Sequence, residues 1–308
     1  MPTASIIITT HNRPRLVTRA VESARAAGAD VEIVVVDDAS SDATAAVCKE
    51  LSGINYVRVE HNQRVAGARN VGLLASRGEY LSFLDDDDVR LADSLDQQIE
   101  MLDAAPDAGL IYGQAIMDEG KSFSRSYPRE CPQGDIFWQL VSRNFIPCGS
   151  VVFRRSCLSS VGLLDNSIPG LDDWDLWVRI AEIYPIIALA TPVIIWRRST
   201  PASGQGTSEA AGLVSLNVRQ FRNCWMNLPR SVEAPKRTKR VAWRNFSENM
   251  AEHLLWESAR SLRRGRPGQS LRNLSVLPRL SPLSLMGIVE HRILRVPQTG
   301  IPDAFGFV

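Results

Sequence analysis

Residues Tyr80–Asp88 read YLSFLDDDD. The five-residue run Tyr80–Leu84 is aromatic and apolar enough for a buried strand, and four consecutive carboxylates end it. The same punctuation occurs upstream, where Val31–Val36 (VEIVVV) ends in Asp37 and Asp38. The β-branched run Ser5–Thr10 (SIIITT) reads as the first strand. Helical segments lie between these strands. Pro14 suits the first turn of a helix over Arg15–Ala27. Ser40, Ser41 and Asp42 are candidate caps for a helix reaching about Leu51. Tyr56–Glu60 reads as a short strand, and Gly67–Ser76 as a helix closed by Gly78. A helix over Leu91–Ala104 and a strand over Leu110–Gln114 follow. This alternation predicts an α/β fold, a mostly parallel central sheet flanked by helices. Such sheets bind ligands beyond the carboxyl ends of their strands, so both acidic clusters belong in one crevice.

Farther along, Ser150–Arg154 and Ile186–Trp196 have strand character, with a helix over Trp174–Ile183 between them. Ser199–Gly212 is a polar, Gly-containing loop. Helical segments follow over Leu213–Trp225, Lys236–Arg263, Gly268–Leu277 and Leu283–Leu294. The chain is thus expected to divide into a domain over 1–212, with halves 1–115 and 116–212, and a helical C-terminal region over 213–308.

The chain has 308 residues, 44% hydrophobic and 22% charged, which is ordinary globular composition. Its five cysteines form no C-x-x-C pair, which argues against a disulfide framework or zinc site and for reduced cytosolic thiols. The apolar start, Ser5–Thr10, is too short for a signal peptide. The longest later apolar run, Ile186–Trp196, is broken by Pro192 and is far shorter than the roughly 20 residues of a membrane span. A cytoplasmic chain is expected, soluble or peripheral at the inner face of the membrane. Net charge is +1, but residues 219–308 carry 16 Lys and Arg against 6 Asp and Glu. That basic region suits phosphate-bearing partners, and equally a solvated helix surface or a dimer contact.

Four groups of residues carry chemistry. A carboxylate at Asp37–Asp38 can accept hydrogen bonds from a ribose hydroxyl or a base N–H, or can simply cap the following helix. Four carboxylates at Asp85–Asp88 repel one another, and a cation relieves that cost; magnesium or manganese suits oxygen ligands and bridges to substrate phosphates. Asp172, Asp173 and Asp175 open a helix, where acids are favoured by the dipole alone. A general base there would have its pKa raised by acidic neighbours and by Trp174. The small residues of Gly67-Ala68-Arg69-Asn70 permit close backbone approach, and Arg69 can pair with a phosphate.

In order and spacing, SIIITTHNR, VVVDDASSDAT, GARNVGL, GEYLSFLDDDD and DDWDLWVR resemble the family 2 glycosyltransferases of the GT-A fold, over about residues 3–200. The resemblance implies an inverting, nucleotide-sugar-dependent transferase using a divalent metal, Mn2+ or Mg2+. It implies nucleotide contacts from Thr9, His11, Asp38, Arg69 and Asp86. Asp85-Asp86-Asp87 matches the D-x-D segment, with Asp87 the main metal ligand beside Asp85. Asp173 matches the general base, and Asp172 and Trp174 line the acceptor or sugar pocket; Trp177 can equally be core. The donor implied is a nucleoside diphosphate sugar, UDP-linked first, and the acceptor a hydroxyl of a glycan, lipid-linked sugar or small molecule. No nucleic acid partner is expected. Three departures stand out. His11 replaces a common tyrosine, Asp172 replaces a glutamate, and Ser199–Gly212 lacks the histidine many relatives use, leaving Arg198 as a substitute charge. Two other readings remain open at this level: a sugar nucleotidyltransferase, although a glycine-rich triphosphate loop is missing after the first strand, and a catalytically idle binding protein.

Overall fold

A computed structural model describes residues 2–118, 123–197 and 209–280. The chain divides into two compact units, Met1–Ile136 with Phe145–Ser203, and Phe137–Asn144 with Gly204–Val308.

The first unit is built on one sheet. Its elements are β1 (Ala4–Thr10), α1 (Pro14–Ala26), β2 (Val31–Asp37), α2 (Thr44–Glu50), β3 (Asn55–Arg58), α3 (Arg64–Ala75), β4 (Tyr80–Asp85), β5 (Val89–Arg90), α4 (Ser94–Asp103), β6 (Leu110–Asp118) and β7 (Phe123–Tyr127). After α5 (Phe137–Ser142), which belongs to the second unit, come β8 (Val151–Arg154), α6 (Cys157–Val161), α7 (Asp172–Ile183) and β9 (Ile186–Arg197). The strand order is β3-β2-β1-β4-β8-β6-β9-β5, with β7 beside β6. The first four strands are parallel, as the alternating sequence requires. Beyond β4 the sheet is mixed: β8 runs antiparallel to both β4 and β6, while β6 and β9 are parallel.

The apolar runs explain the parallel half. Ile6, Ile8, Ile33, Val35 and Leu84 are buried with Val17, Ala20, Val21 and Ala24 of α1 in one core. Strands covered on both faces must be apolar on both, which is why these runs do not alternate with polar residues. On the α3 side the approach is close. A Cβ on Gly72 would lie 2.3 Å from Cγ2 of Ile7, so only glycine lets α3 reach β1 there.

Register positions the acids. Thr9 of β1 pairs with Val36 of β2 and with Asp85 of β4, and Thr10 pairs with Asp37. The two acid-ended strands therefore stop at the same level, one on each side of β1.

The second unit is helical: α5, then α8 (Ala210–Asn223), α9 (Pro229–Glu233), α10 (Lys236–Arg263) and α11 (Pro267–Leu274). Phe221, Trp225, Trp243 and Phe246 form an aromatic cluster, with Phe221 and Phe246 4.6 Å apart. α10 has the bounds expected from sequence. The helix expected over Leu283–Leu294, and Arg198 with most of the polar loop after it, lie outside the described residues. No described helix is long and apolar enough to cross a membrane.

Candidate active site

Asp37 and Asp38 diverge although they are neighbours. Asp37 is fully buried and accepts hydrogen bonds from the Ser40 N–H (2.9 Å) and the Tyr56 hydroxyl (2.9 Å). It closes the turn after β2. Asp38 accepts the Gln63 N–H at 2.6 Å, and burial pushes its carboxyl up. The loop around it is prearranged. His11 donates from Nδ1 to the Asp38 carbonyl at 2.7 Å, since a carbonyl can only accept, and its Nε2 accepts from the Asn12 amide at 3.0 Å. The Ser41 N–H in turn donates to Oδ1 of Asn12. Asn12, Ala39 and Arg64 all adopt left-handed backbone, with φ of 56°, 59° and 59°. Three such residues next to His11, Asp38 and Gln63 store strain at one rim, as binding sites commonly do.

Asp86 sits across β1 from that rim. Its Oδ2 accepts the Thr10 hydroxyl at 2.7 Å and its Oδ1 accepts Arg13 Nη1 at 2.8 Å. Burial pushes it up to about 6, against the opposing pull of Arg13. Thr10 also accepts the Asp38 N–H on its carbonyl at 2.9 Å, so one residue of β1 links the two acidic clusters. Thr9, the expected contact, is half-buried beside it.

Asp85, Asp87 and Asp88 differ in environment. Asp85 Oδ1 accepts Arg69 Nη2 at 2.7 Å. Asp87 is half-buried, Arg13 lies 3.7 Å from it, and burial followed by Asp85 pushes its carboxyl up. Asp88 is buried and accepts the Arg197 N–H at 2.9 Å, fastening the end of β9 to the acidic turn. Burial, Asp85 and Asp87 push its carboxyl well up. Among the described residues no three His, Cys, Asp or Glu side chains group to hold a metal by themselves. One or two carboxylates completed by substrate phosphates is the ordinary way magnesium and manganese are held, and Asp87 with Asp85 fits that donor set.

Arg69 joins this turn to the third cluster. It is buried, its Nη1 donates to Asp172 Oδ2 at 2.9 Å, and its guanidinium lies 5.3 Å from the Phe83 ring centroid. Both carboxylates on it strengthen its charge, so Asp172 at the start of α7 is held beside Asp85. Asp173, next in line and partly exposed, accepts its neighbour Trp174 N–H at 2.7 Å. Burial and then Asp172 push it up to about 6. Trp174 and Trp177 are both buried, Trp177 packing on Phe83 and Phe153 at 6.3 and 5.8 Å.

Sequence reasoning passed over several residues here. Thr10 and Arg13 bond the acidic turn directly. Cys148 lies close enough to Arg69 and Asp173 to feel both, and burial pushes its thiol well up. Arg90 is buried with neutral partners: its Nη1 donates to the Gly149 carbonyl at 2.6 Å, its Nε to Ser94, and its Nη2 to Gln98. Gln98 also holds the Ser150 carbonyl at 2.9 Å. Together they clamp the turn that carries Cys148. Of these, only Arg13 has a signal in the sequence, a cation placed just after β1. A groove lined by Asp30, Glu32, Asn55 and Arg77 lies at the opposite rim, around the amino ends of β2 and β3. Its carboxylates are already bonded, Glu32 by Ser5 and Arg77 and Asp30 by Thr3.

Residues 5–160 match the family described as Glycosyl transferase family 2. Succinoglycan biosynthesis protein ExoO of Rhizobium meliloti (strain 1021) is 38% identical over 108 residues, 34% of this chain and 31% of that protein. An uncharacterized glycosyltransferase of Haemophilus influenzae is 25% identical over 182 residues, 58% of this chain and 62% of its own. The chain therefore spans about a third of one relative and three fifths of the other. S. aureus TarS 1–349 in complex with UDP-GlcNAc superposes with a TM-score of 0.53 at 16% identity, covering 91% of this chain and 93% of that one. Mannosyltransferase PcManGT from Pyrobaculum calidifontis, in complex with GDP-Man and Mn2+, gives 0.56 at 18%, covering 89% and 86%. At these identities the two structures speak for the fold, which is the GT-A fold.

Proposed function

The chain belongs to glycosyl transferase family 2, and from that premise we propose that it moves a sugar from a nucleoside diphosphate sugar, UDP-linked first, to an acceptor hydroxyl with inversion. The observation that carries this reading is the bonded network through Thr10 and Arg69, which gathers Asp38, Asp85–Asp87 and Asp172–Asp173 at the carboxyl ends of β1, β2 and β4. In this reading residues 1–115 receive the nucleotide and 116–212 the acceptor. Thr9, His11 and Asp38 meet the nucleoside, with the strained loop holding Asp38 in place before binding. Asp86, held by Thr10 and Arg13, faces the ribose. Arg69 serves the nucleotide site by fixing Asp85.

Asp87 and Asp85 are the residues that would hold a divalent metal, Mn2+ or Mg2+, which when bound neutralises negative charge developing on the leaving diphosphate. Asp173 takes the proton from the attacking hydroxyl, and its raised pKa makes it a better proton acceptor than an ordinary aspartate. Asp172 and Trp174 frame the acceptor side, Asp172 through its bond to Arg69.

A thermal-shift screen of nucleoside diphosphates and their sugars, with and without manganese, tests the reading, because a ligand that binds the folded state raises Tm. A rise with a nucleoside diphosphate sugar is the expected result. No rise with any of them, or pyrophosphate release from a nucleoside triphosphate and sugar phosphate instead, would overturn it. Asp87→Asn is expected to weaken manganese-dependent nucleotide binding by at least about tenfold in calorimetry. Equal affinity in variant and wild type would remove Asp87 from the metal site.

A further inference from the structure

The second unit carries a surface that sugar transfer does not use. α10 ends and α11 begins within residues 258–280, a stretch with six arginines and no aspartate or glutamate. Arg263, Arg264 and Arg266, around the turn between the helices, are all exposed. Arg272 is exposed too and meets Glu209 at 3.1 Å, a surface pair that water weakens. Ten large apolar residues are exposed among the described residues; three of them fall in this stretch and a fourth lies just before it. These four are Trp256 (38%), Leu262 (57%), Leu271 (68%) and Leu274 (36%).

α11 is inside out. Its polar Ser270 and Asn273 are buried, and neither amide atom of Asn273 has a hydrogen-bond partner among the described residues. Leu271 and Leu274, one helical turn apart, are left on the outside. A helix facing only water and its own core has these the other way round. Leaving two leucines on the outside works against the folded unit in water, so that outer face points to an outside partner.

Charge selects the partner. Exposed leucine and tryptophan beside arginine, with only Glu209 and Glu257 paired to arginines at the edge, match the boundary of an anionic bilayer, where apolar side chains enter the acyl edge and guanidinium groups stay at the phosphates. A second copy of this chain would instead bring the same arginines face to face, a like-charge contact. We propose that the α10–α11 hairpin is a docking surface for an anionic lipid bilayer. The proposal is independent of the transferase assignment.

Co-sedimentation of the full chain with phosphatidylcholine vesicles, with and without phosphatidylglycerol, tests it. The chain is expected to pellet with the anionic vesicles alone, and less as salt rises. Each arginine near a charged surface contributes about fivefold in partitioning. The triple variant Arg263→Gln, Arg264→Gln, Arg266→Gln should therefore bind about a hundredfold more weakly. Leu271→Ser with Leu274→Ser should also lose binding, and because both side chains are exposed neither variant should change Tm appreciably. Nucleotide affinity is expected to be the same in all three proteins. Failure of wild type to pellet with anionic vesicles at low salt overturns the proposal. So does equal pelleting of wild type and both variants. A sedimentation-velocity shift from dimer to monomer in the leucine variant, without vesicle binding by wild type, would give the face to a second copy instead.

Discussion

Asp173→Asn is expected to lower sugar transfer by about 10²–10⁴-fold while leaving nucleotide affinity nearly intact. The substitution is close to isosteric, and an asparagine oxygen can still accept the Trp174 N–H that Asp173 accepts at 2.7 Å. What disappears is the proton acceptor. A negative charge beside Asp172 and Asp85 disappears with it, so Tm should hold or rise. Acidity provides a second check on the same side chain. Asp173 is pushed up to about 6, chiefly by burial, and must be unprotonated to act as a base. Wild-type kcat should fall with unit slope below about pH 6, and the residual activity of the variant should lack that limb. The stability effect runs the other way. A carboxyl whose folded pKa lies above its unfolded one contributes stability that is full below the unfolded value, near 4, and lost as pH rises through about 6. Asp86, pushed to about 6 by burial, adds in the same direction. Between pH 7 and 5 the unliganded protein should therefore gain Tm while losing activity, which separates loss of the base from loss of the fold. Undiminished transfer by the variant would take Asp173 out of the mechanism.

The parts of this site that could be read from residue order are those set by local pattern. Apolar runs gave β1, β2 and β4, the latter two ending in acids, because a strand covered on both faces must be apolar throughout. α10 could be bounded from Lys236 to Arg263 for the same kind of reason. What could not be read depends on pairing between distant segments. β8 slips antiparallel between β4 and β6, which nothing in Val151–Arg154 announces. β5 is two residues long, yet its pairing with β9 bends the chain after Asp88 and brings Arg197 onto that carboxylate. Asp37 and Asp38 look equivalent in a string of letters. The two-residue period of a strand sends one into the Tyr56–Ser40 turn and the other to the His11 loop. The small residues near Gly67 also have a double meaning, since α3 needs Gly72 simply to pack on Ile7.

Arg69→Met is expected to destabilise the first unit by about 3–5 kcal/mol, a fall in Tm on the order of 10 °C. Arg69 is 3% exposed and is shared by two carboxylates, Asp85 at 2.7 Å and Asp172 at 2.9 Å. Methionine fills much of the same volume and adapts its shape, so a cavity is not the main loss. The loss is that two acids, one of them buried, keep facing each other with their shared cation gone. Such a penalty has a pH signature. Protonation removes the uncompensated charge, so the gap in Tm between variant and wild type should narrow on acidification. Adding Asp172→Asn to Arg69→Met should recover part of the loss at pH 7, because it removes one of the two stranded charges. Arg69→Lys should fall between, since an ammonium keeps the charge but loses the planar fork that reaches both partners at once. The same bridge ties the α3–β4 side of the site to the start of α7, so its removal should raise KM for the donor as well as lower kcat. A variant with wild-type Tm at pH 7 would mean that the acids around Arg69 are solvated rather than paired, and the idea of a prearranged acidic site would go with it.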